Sequence, residues 1–61
     1  MLNQELFINE DTGISVILKK EKGGIVLTAS DTDADLVIEK RFYKLHDYEK
    51  ATCYAKLCIK G

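Results

Sequence analysis

The feature that most constrains this chain is a change in the spacing of its apolar residues. Apolar and polar residues alternate through four short segments, and the final segment switches to a three–four spacing. Alternation is typical of half-buried strands, and the three–four spacing is typical of an amphipathic helix. The sequence therefore predicts an α+β fold: a four-stranded antiparallel sheet, in the order ββββα, with one C-terminal helix packed on one face.

Polar or glycine-bearing breaks separate the predicted elements, as turns require. These breaks fall at residues 10–13, 22–24 and 31–34. The predicted strands between them are Gln4–Asn9, Ile14–Glu21, Gly24–Ser30 and Asp35–Tyr43. Asp47 is predicted to be the N-cap of the helix, which should bury a stripe that includes Ala51 and Ala55.

The size of the chain and its cysteines bound its class and location. A length of 61 residues predicts one domain, residues 1–61. Cys53 and Cys58 lie five positions apart on the predicted helix and point in different directions, so they cannot bridge each other. Two unpaired thiols indicate a reducing compartment, and no apolar stretch reaches the ~20 residues of a membrane span. We therefore expect a cytoplasmic protein without a membrane partner.

The two faces of the sheet follow from pairing the apolar positions of successive strands, because opposed residues lie on one face. The face predicted to lie under the helix carries Leu6, Ile8, Ile14, Val16, Leu18, Ile25, Leu27, Ala29, Leu36, Ile38 and Phe42. The first hairpin is predicted to pair Ile8 with Val16, the second Leu18 with Leu27. A loop at residues 31–34 is predicted to bring Ala29 opposite Leu36.

The opposite face should be wet, yet it carries a stripe of large apolar residues. One helix cannot cover both faces, and a large exposed apolar patch usually marks an interface. The residues predicted to bind a partner are Phe7, Ile17, Val26, Val37, Arg41 and Tyr43. The alternative is that long Lys and Arg side chains break up the stripe, which then has no binding role.

Two functional hypotheses follow from this face. The first is a non-enzymatic protein-interaction module, either a homodimer or an inhibitor or adaptor that docks on a larger protein. The second is a single-stranded nucleic-acid binder, in which Phe7 and Tyr43 stack on bases beside Arg41. A net charge of −1 lacks the basic excess usual for nucleic-acid binders, so the first hypothesis is preferred. Phages and other mobile elements carry many small proteins of this kind that bind a host protein, and we keep such an origin as an expectation.

No motif in the sequence supports catalysis, a cofactor or a metal site. Residues Asp31–Asp35 have the oxygen spacing that begins a calcium loop, but Leu36 and Phe42 stand where that loop needs glycine and glutamate. His46, the single histidine, is predicted to lie too far from Cys53 to act as its base. We therefore expect neither enzymatic activity nor a bound cofactor or metal ion.

Overall fold

Four strands and a C-terminal helix follow one another in the computed structural model, which describes residues 4–60. The strands are β1 (Gln4–Asn9), β2 (Ile14–Glu21), β3 (Gly24–Asp31) and β4 (Leu36–Tyr43). A short 3₁₀ turn, Leu45–Asp47, leads into the helix α1 (Tyr48–Lys60). The strands are antiparallel and pair in the order β1-β2-β3-β4, so the predicted α+β fold is confirmed. The predicted domain of residues 1–61 also includes residues 1–3 and 61, which lie outside the described residues.

The core lies between α1 and the two central strands. Ala51 and Ala55 of the helix are fully buried, and their small side chains allow the helix to lie close to the sheet. The buried residues of the sheet that join them are Val16, Leu18, Ile25, Leu27 and Ala29. The pairing of Leu18 with Leu27 is confirmed, and so is the alanine stripe of the helix.

The first hairpin pairs one residue away from the predicted register. The predicted partner of Val16 was Ile8. In the structure Phe7 lies opposite Val16, and Leu6 lies opposite Ile17. A slip of one residue turns every side chain of a strand to the other face. Phe7 therefore packs against the core under the helix, while Leu6 and Ile8 lie on the uncovered face. The predicted faces of these three β1 residues were wrong.

Hydrogen bonds to the end of the helix explain the register of β1. The Asn9 side chain donates from Nδ2 to the carbonyl oxygen of Ile59 at 2.6 Å, and the Thr12 hydroxyl donates to the same oxygen at 3.3 Å. The last carbonyls of a helix have no intrahelical partner, so this cap stabilises the helix end. It also requires Asn9 to face the helix, and alternation then places Phe7 on the same side.

An irregularity in β4 reverses the faces predicted for the part of the strand that follows it. Ser30 pairs with Val37 but Ala29 pairs with Glu39, so Ile38 has no partner in the register. This is the pattern of a β-bulge, in which one strand carries an extra residue. The predicted pairing of Ala29 with Leu36 was therefore wrong.

Side chains that follow the bulge are displaced to the faces opposite to those predicted. Arg41 lies opposite Leu27 and Tyr43 lies opposite Ile25, so both are on the helix side. Phe42 lies on the uncovered side, and its side chain is 74% exposed. The predicted faces of Arg41, Tyr43 and Phe42 were wrong.

The alanine seam gives the first test of this packing. Ala55→Glu should destabilise the protein by about 3 kcal/mol or more, because it forces a charge and extra volume into a filled core. A domain of this size typically has only about 3–5 kcal/mol of stability. Thermal denaturation should therefore show a variant that is largely unfolded, whereas Lys56→Glu, one residue along on the exposed surface, should melt close to the wild type. A similar melting temperature for both variants would contradict the packing.

Candidate functional site

The candidate site is the face of the sheet that points away from α1, called the open face below. Its apolar members, assigned from the register, are Leu6, Ile8, Ile17, Val26, Val37 and Phe42. We group with them Ile38, the extra residue of the bulge, because it adjoins Val37 and is 58% exposed. Phe42, Val37 and Leu6 are 74%, 63% and 58% exposed. The helix covers the other side of the sheet, so the side chains of Phe42, Val37 and Leu6 are exposed to solvent.

Strand pairing arranges the open face in rows that run across the sheet. In the middle row Leu6 lies opposite Ile17, which lies opposite Thr28, and Thr28 lies opposite Lys40. The row on one side joins Lys19, Val26 and Phe42. The row on the other side joins Ile8, Ser15, Ser30 and Val37. Apolar and polar side chains thus occur in every row, and Leu6 is next to Ile17 while Val26 is next to Phe42.

Half of the predicted partner-binding residues lie on this face. Ile17, Val26 and Val37 are on it, and Val26 is 8% exposed because it is enclosed between its row neighbours Lys19 and Phe42. Phe7, Arg41 and Tyr43 are on the helix side instead.

Sequence reasoning missed four apolar members of the open face: Leu6, Ile8, Ile38 and Phe42. Within residues 6–8 and 36–38 every residue is apolar, so alternation alone could not choose a face there. The polar Asn9 was the one signal in the first segment, because it marks the parity that turns towards the helix end.

A second polar feature lies on the helix side, where three side chains join β4 to α1. The Arg41 guanidinium forms an ion pair with Glu39 through Nε and Oε2. The Tyr54 hydroxyl donates to Oε1 of the same carboxylate at 2.6 Å, and the guanidinium carbon lies 4.3 Å from the centre of the Tyr54 ring. Both carboxylate oxygens are thus engaged, and the aromatic ring stacks on the cation.

Charge and hydrogen bonding shift the pKa values in this cluster. The hydrogen bond from Tyr54, followed by that from Arg41, holds the pKa of Glu39 below its usual range. The same hydrogen bond raises the pKa of Tyr54, because an ionised Tyr54 could no longer donate it to the Glu39 carboxylate. Burial raises the pKa of the nearby Cys58 thiol, which reduces its thiolate fraction at neutral pH. These three side chains thus link β4 to α1, and the cluster is called the clamp below.

Metal and membrane sites have no geometric support within residues 4–60. In that range, no group of three or more His, Cys, Asp or Glu side chains is placed to hold a metal ion. No helix in the described part of the chain is long and apolar enough to cross a membrane. No protein-family model matches the chain, and no curated protein or solved structure is significantly similar to it. The surface itself is thus the basis for inferring function.

The clamp predicts how stability depends on pH. A lowered folded-state pKa for Glu39 means that its ionised form stabilises the fold above the unfolded-state pKa. That contribution is lost as the pH falls through the folded-state pKa. Thermal melts across the acidic range should show wild type more stable than Glu39→Gln near neutrality, by a small margin because the ion pair is exposed. The margin should vanish in acid.

Glu5→Gln is the matched control, since it makes the same change at an exposed strand residue outside the open face. It should follow the wild-type curve at every pH. A Glu39→Gln variant that kept a constant margin into strong acid would contradict the role given to the Glu39 carboxylate.

Proposed function

We propose that this chain is a small, non-enzymatic protein-interaction module that binds its partner through the open face. The observation that supports the proposal is a set of apolar side chains, each more than half exposed, on the side of the sheet that the helix leaves bare. This set is Leu6, Ile8, Val37, Ile38 and Phe42. Exposed apolar patches of this kind usually mark interaction surfaces.

The energetics indicate how a partner would have to bind. Full burial of one such side chain is worth about 1.5–3 kcal/mol, so completing the burial of five half-exposed ones provides roughly 5–9 kcal/mol. Association costs an estimated 4–15 kcal/mol in lost freedom of motion. A partner that touches only one corner of the open face cannot offset that cost. The proposed partner therefore covers most of the face at once.

The nucleic-acid alternative receives no support from a specific contact. It required Phe7 and Tyr43 on the open face, and both pack towards the helix. Phe42 is the one aromatic residue of the four described strands on the open face, so a stacking pair is not formed there. The free thiols of Cys53 and Cys58 fit a reducing compartment, and we propose the cytoplasm as the location of the module.

Photo-crosslinking tests the proposed surface. A photoreactive phenylalanine analogue would replace Phe42 in one protein and Leu57 in another; Leu57 is 64% exposed but belongs to the helix, away from the open face. In an extract of cells that naturally produce the chain, position 42 should yield a defined protein adduct and position 57 should not. The adduct at position 42 should disappear when Leu6→Lys is added on the same face.

The test compares the adducts formed at positions 42 and 57. Capture of a protein at position 42 does not support the proposal unless position 57 captures none. Equal adducts at both positions, or none at position 42, would count against the proposal. Adducts to nucleic acid at position 42 would replace it with the alternative. Thermal melts of both labelled proteins should match the wild type, because both sites are exposed.

A further inference from the structure

We propose that the occupant of the open face is a second copy of this chain, packed sheet against sheet with its strands antiparallel to those of the first. This inference rests on the proposed function and specifies its partner. Two observations favour self-association in this orientation: the opposite charges of the two ends of the sheet, and the fit of the open face to itself under a two-fold rotation.

One end of the sheet is strongly acidic. The β1–β2 turn and the β3–β4 loop are joined there, because Thr32 donates to the Gly13 carbonyl oxygen from its backbone N–H at 2.8 Å and from its hydroxyl at 2.9 Å. These two segments contain no lysine or arginine. Their carboxylates, called the acidic end below, are Glu10, Asp11, Asp31, Asp33 and Asp35.

The other end of the sheet is rich in lysine. The β2–β3 hairpin and the residue after β4 meet there, and a groove beside Phe42 is lined by Lys22 and Lys44. The lysines of this region, called the lysine end below, are Lys19, Lys20, Lys22 and Lys44. Lys20 lies on the helix side, over the Tyr48 ring, and the acidic residues on the strands here are Glu5 and Glu21. The sheet therefore carries charge of opposite sign at its two ends.

Symmetry leaves two ways to pack two such faces together. A homodimer usually has a two-fold axis, and for sheets packed face to face that axis lies between them. An axis along the strands would place acidic end over acidic end. An axis across the strands places each acidic end over the lysine end of the other copy, so electrostatic complementarity selects the antiparallel arrangement.

Part of the apolar surface of the open face also matches in that arrangement, while Ile8 and Val26 fall over Gln4 and Ser30 of the second copy. An axis across the strands through the middle row brings Leu6 and Ile17 against their own copies. It brings Phe42, on one side of that row, over Val37 of the second copy, on the other side. Lys40 also lies in the middle row, but it belongs to the edge strand β4, where its long side chain can keep the ammonium in water.

The size of the face is that of a small dimer interface. Four strands about 4.8 Å apart and seven residues of roughly 3.3 Å each give a flat footprint of about 19 by 23 Å, or about 440 Å². Projecting side chains add to that area. The face is therefore close to the roughly 500 Å² per partner at the lower limit of biological interfaces. Twisted sheets pack face to face at about −30°, which the antiparallel arrangement allows.

The mass in solution tests the dimer. Sedimentation equilibrium over a dilution series should show wild type approaching twice the 6.9 kDa chain mass at high concentration. Phe42→Lys should remain a monomer at every concentration. Its melting temperature should match that of wild type at dilutions where wild type is also a monomer, because Phe42 is exposed in the single chain. Leu57→Lys, the matched change on the helix, should still dimerise.

Failure of this inference can be told from failure of the proposed function. Wild type that stays monomeric at all concentrations overturns the dimer. If position 42 then still crosslinks to another protein, the interaction module stands with a different partner; if it does not, both proposals fall. A dimer that persists in Phe42→Lys also overturns the inference, because it must use another surface.

Charge reversal tests the orientation. Glu10→Lys at the acidic end and Lys22→Glu at the lysine end change exposed turn residues. In the antiparallel dimer each should raise the dissociation constant about two- to tenfold, the scale of exposed ion pairs counted twice per dimer. The double variant should return close to the wild-type value, because the two ends still carry opposite charges at the exchanged positions. Unchanged or lower dissociation constants in the single variants would overturn the antiparallel order.

Discussion

A single helix of thirteen residues covers this four-stranded sheet, and it can cover one side only. A helix with its side chains is about 10 Å wide and neighbouring strands are about 4.8 Å apart, so α1 lies over two strands. The fully buried residues of the sheet accordingly belong to β2 and β3. At the margins, Phe7 of β1 and Tyr43 of β4 lie half-buried beside the helix. The opposite side of the sheet is uncovered because α1 packs on one side only.

The central part of the fold could be predicted from the sequence because polar residues beside its apolar runs mark the uncovered face. They are Ser15 and Lys19 in β2 and Thr28 and Ser30 in β3. In β2 the strongly apolar Val16 and Leu18 are fully buried beneath the helix. In β3, Leu27 and Ala29 are their cross-strand partners. Burial of one face at the centre of a sheet specifies register strongly, since a slip of one residue would expose the whole set.

The edge strands were not predicted correctly because the polar residues beside their apolar runs do not mark the uncovered face; in β1, Glu5 and Asn9 lie on the helix side. Residues 6–8 are all apolar, so either parity buries a large side chain, and the choice falls to the contact between Asn9 and Ile59. That contact joins residues fifty positions apart, which local pattern cannot reveal. In β4 the bulge at Ile38 shifts the parity without any glycine or proline to mark it. The open face was therefore predicted correctly at Ile17, Val26 and Val37, and incorrectly in β1 and in the part of β4 that follows the bulge.

The cap on the last turn of α1 also has a consequence for the order of folding. During synthesis the first hairpin leaves the ribosome long before Ile59 does, and until then the Asn9 amide has no helix end to bind. The register of β1 would be weakly held in that interval, because both faces of the nascent hairpin are apolar. The final register of β1 would thus be fixed late, when the last helical turn is available to accept the hydrogen bond from Asn9.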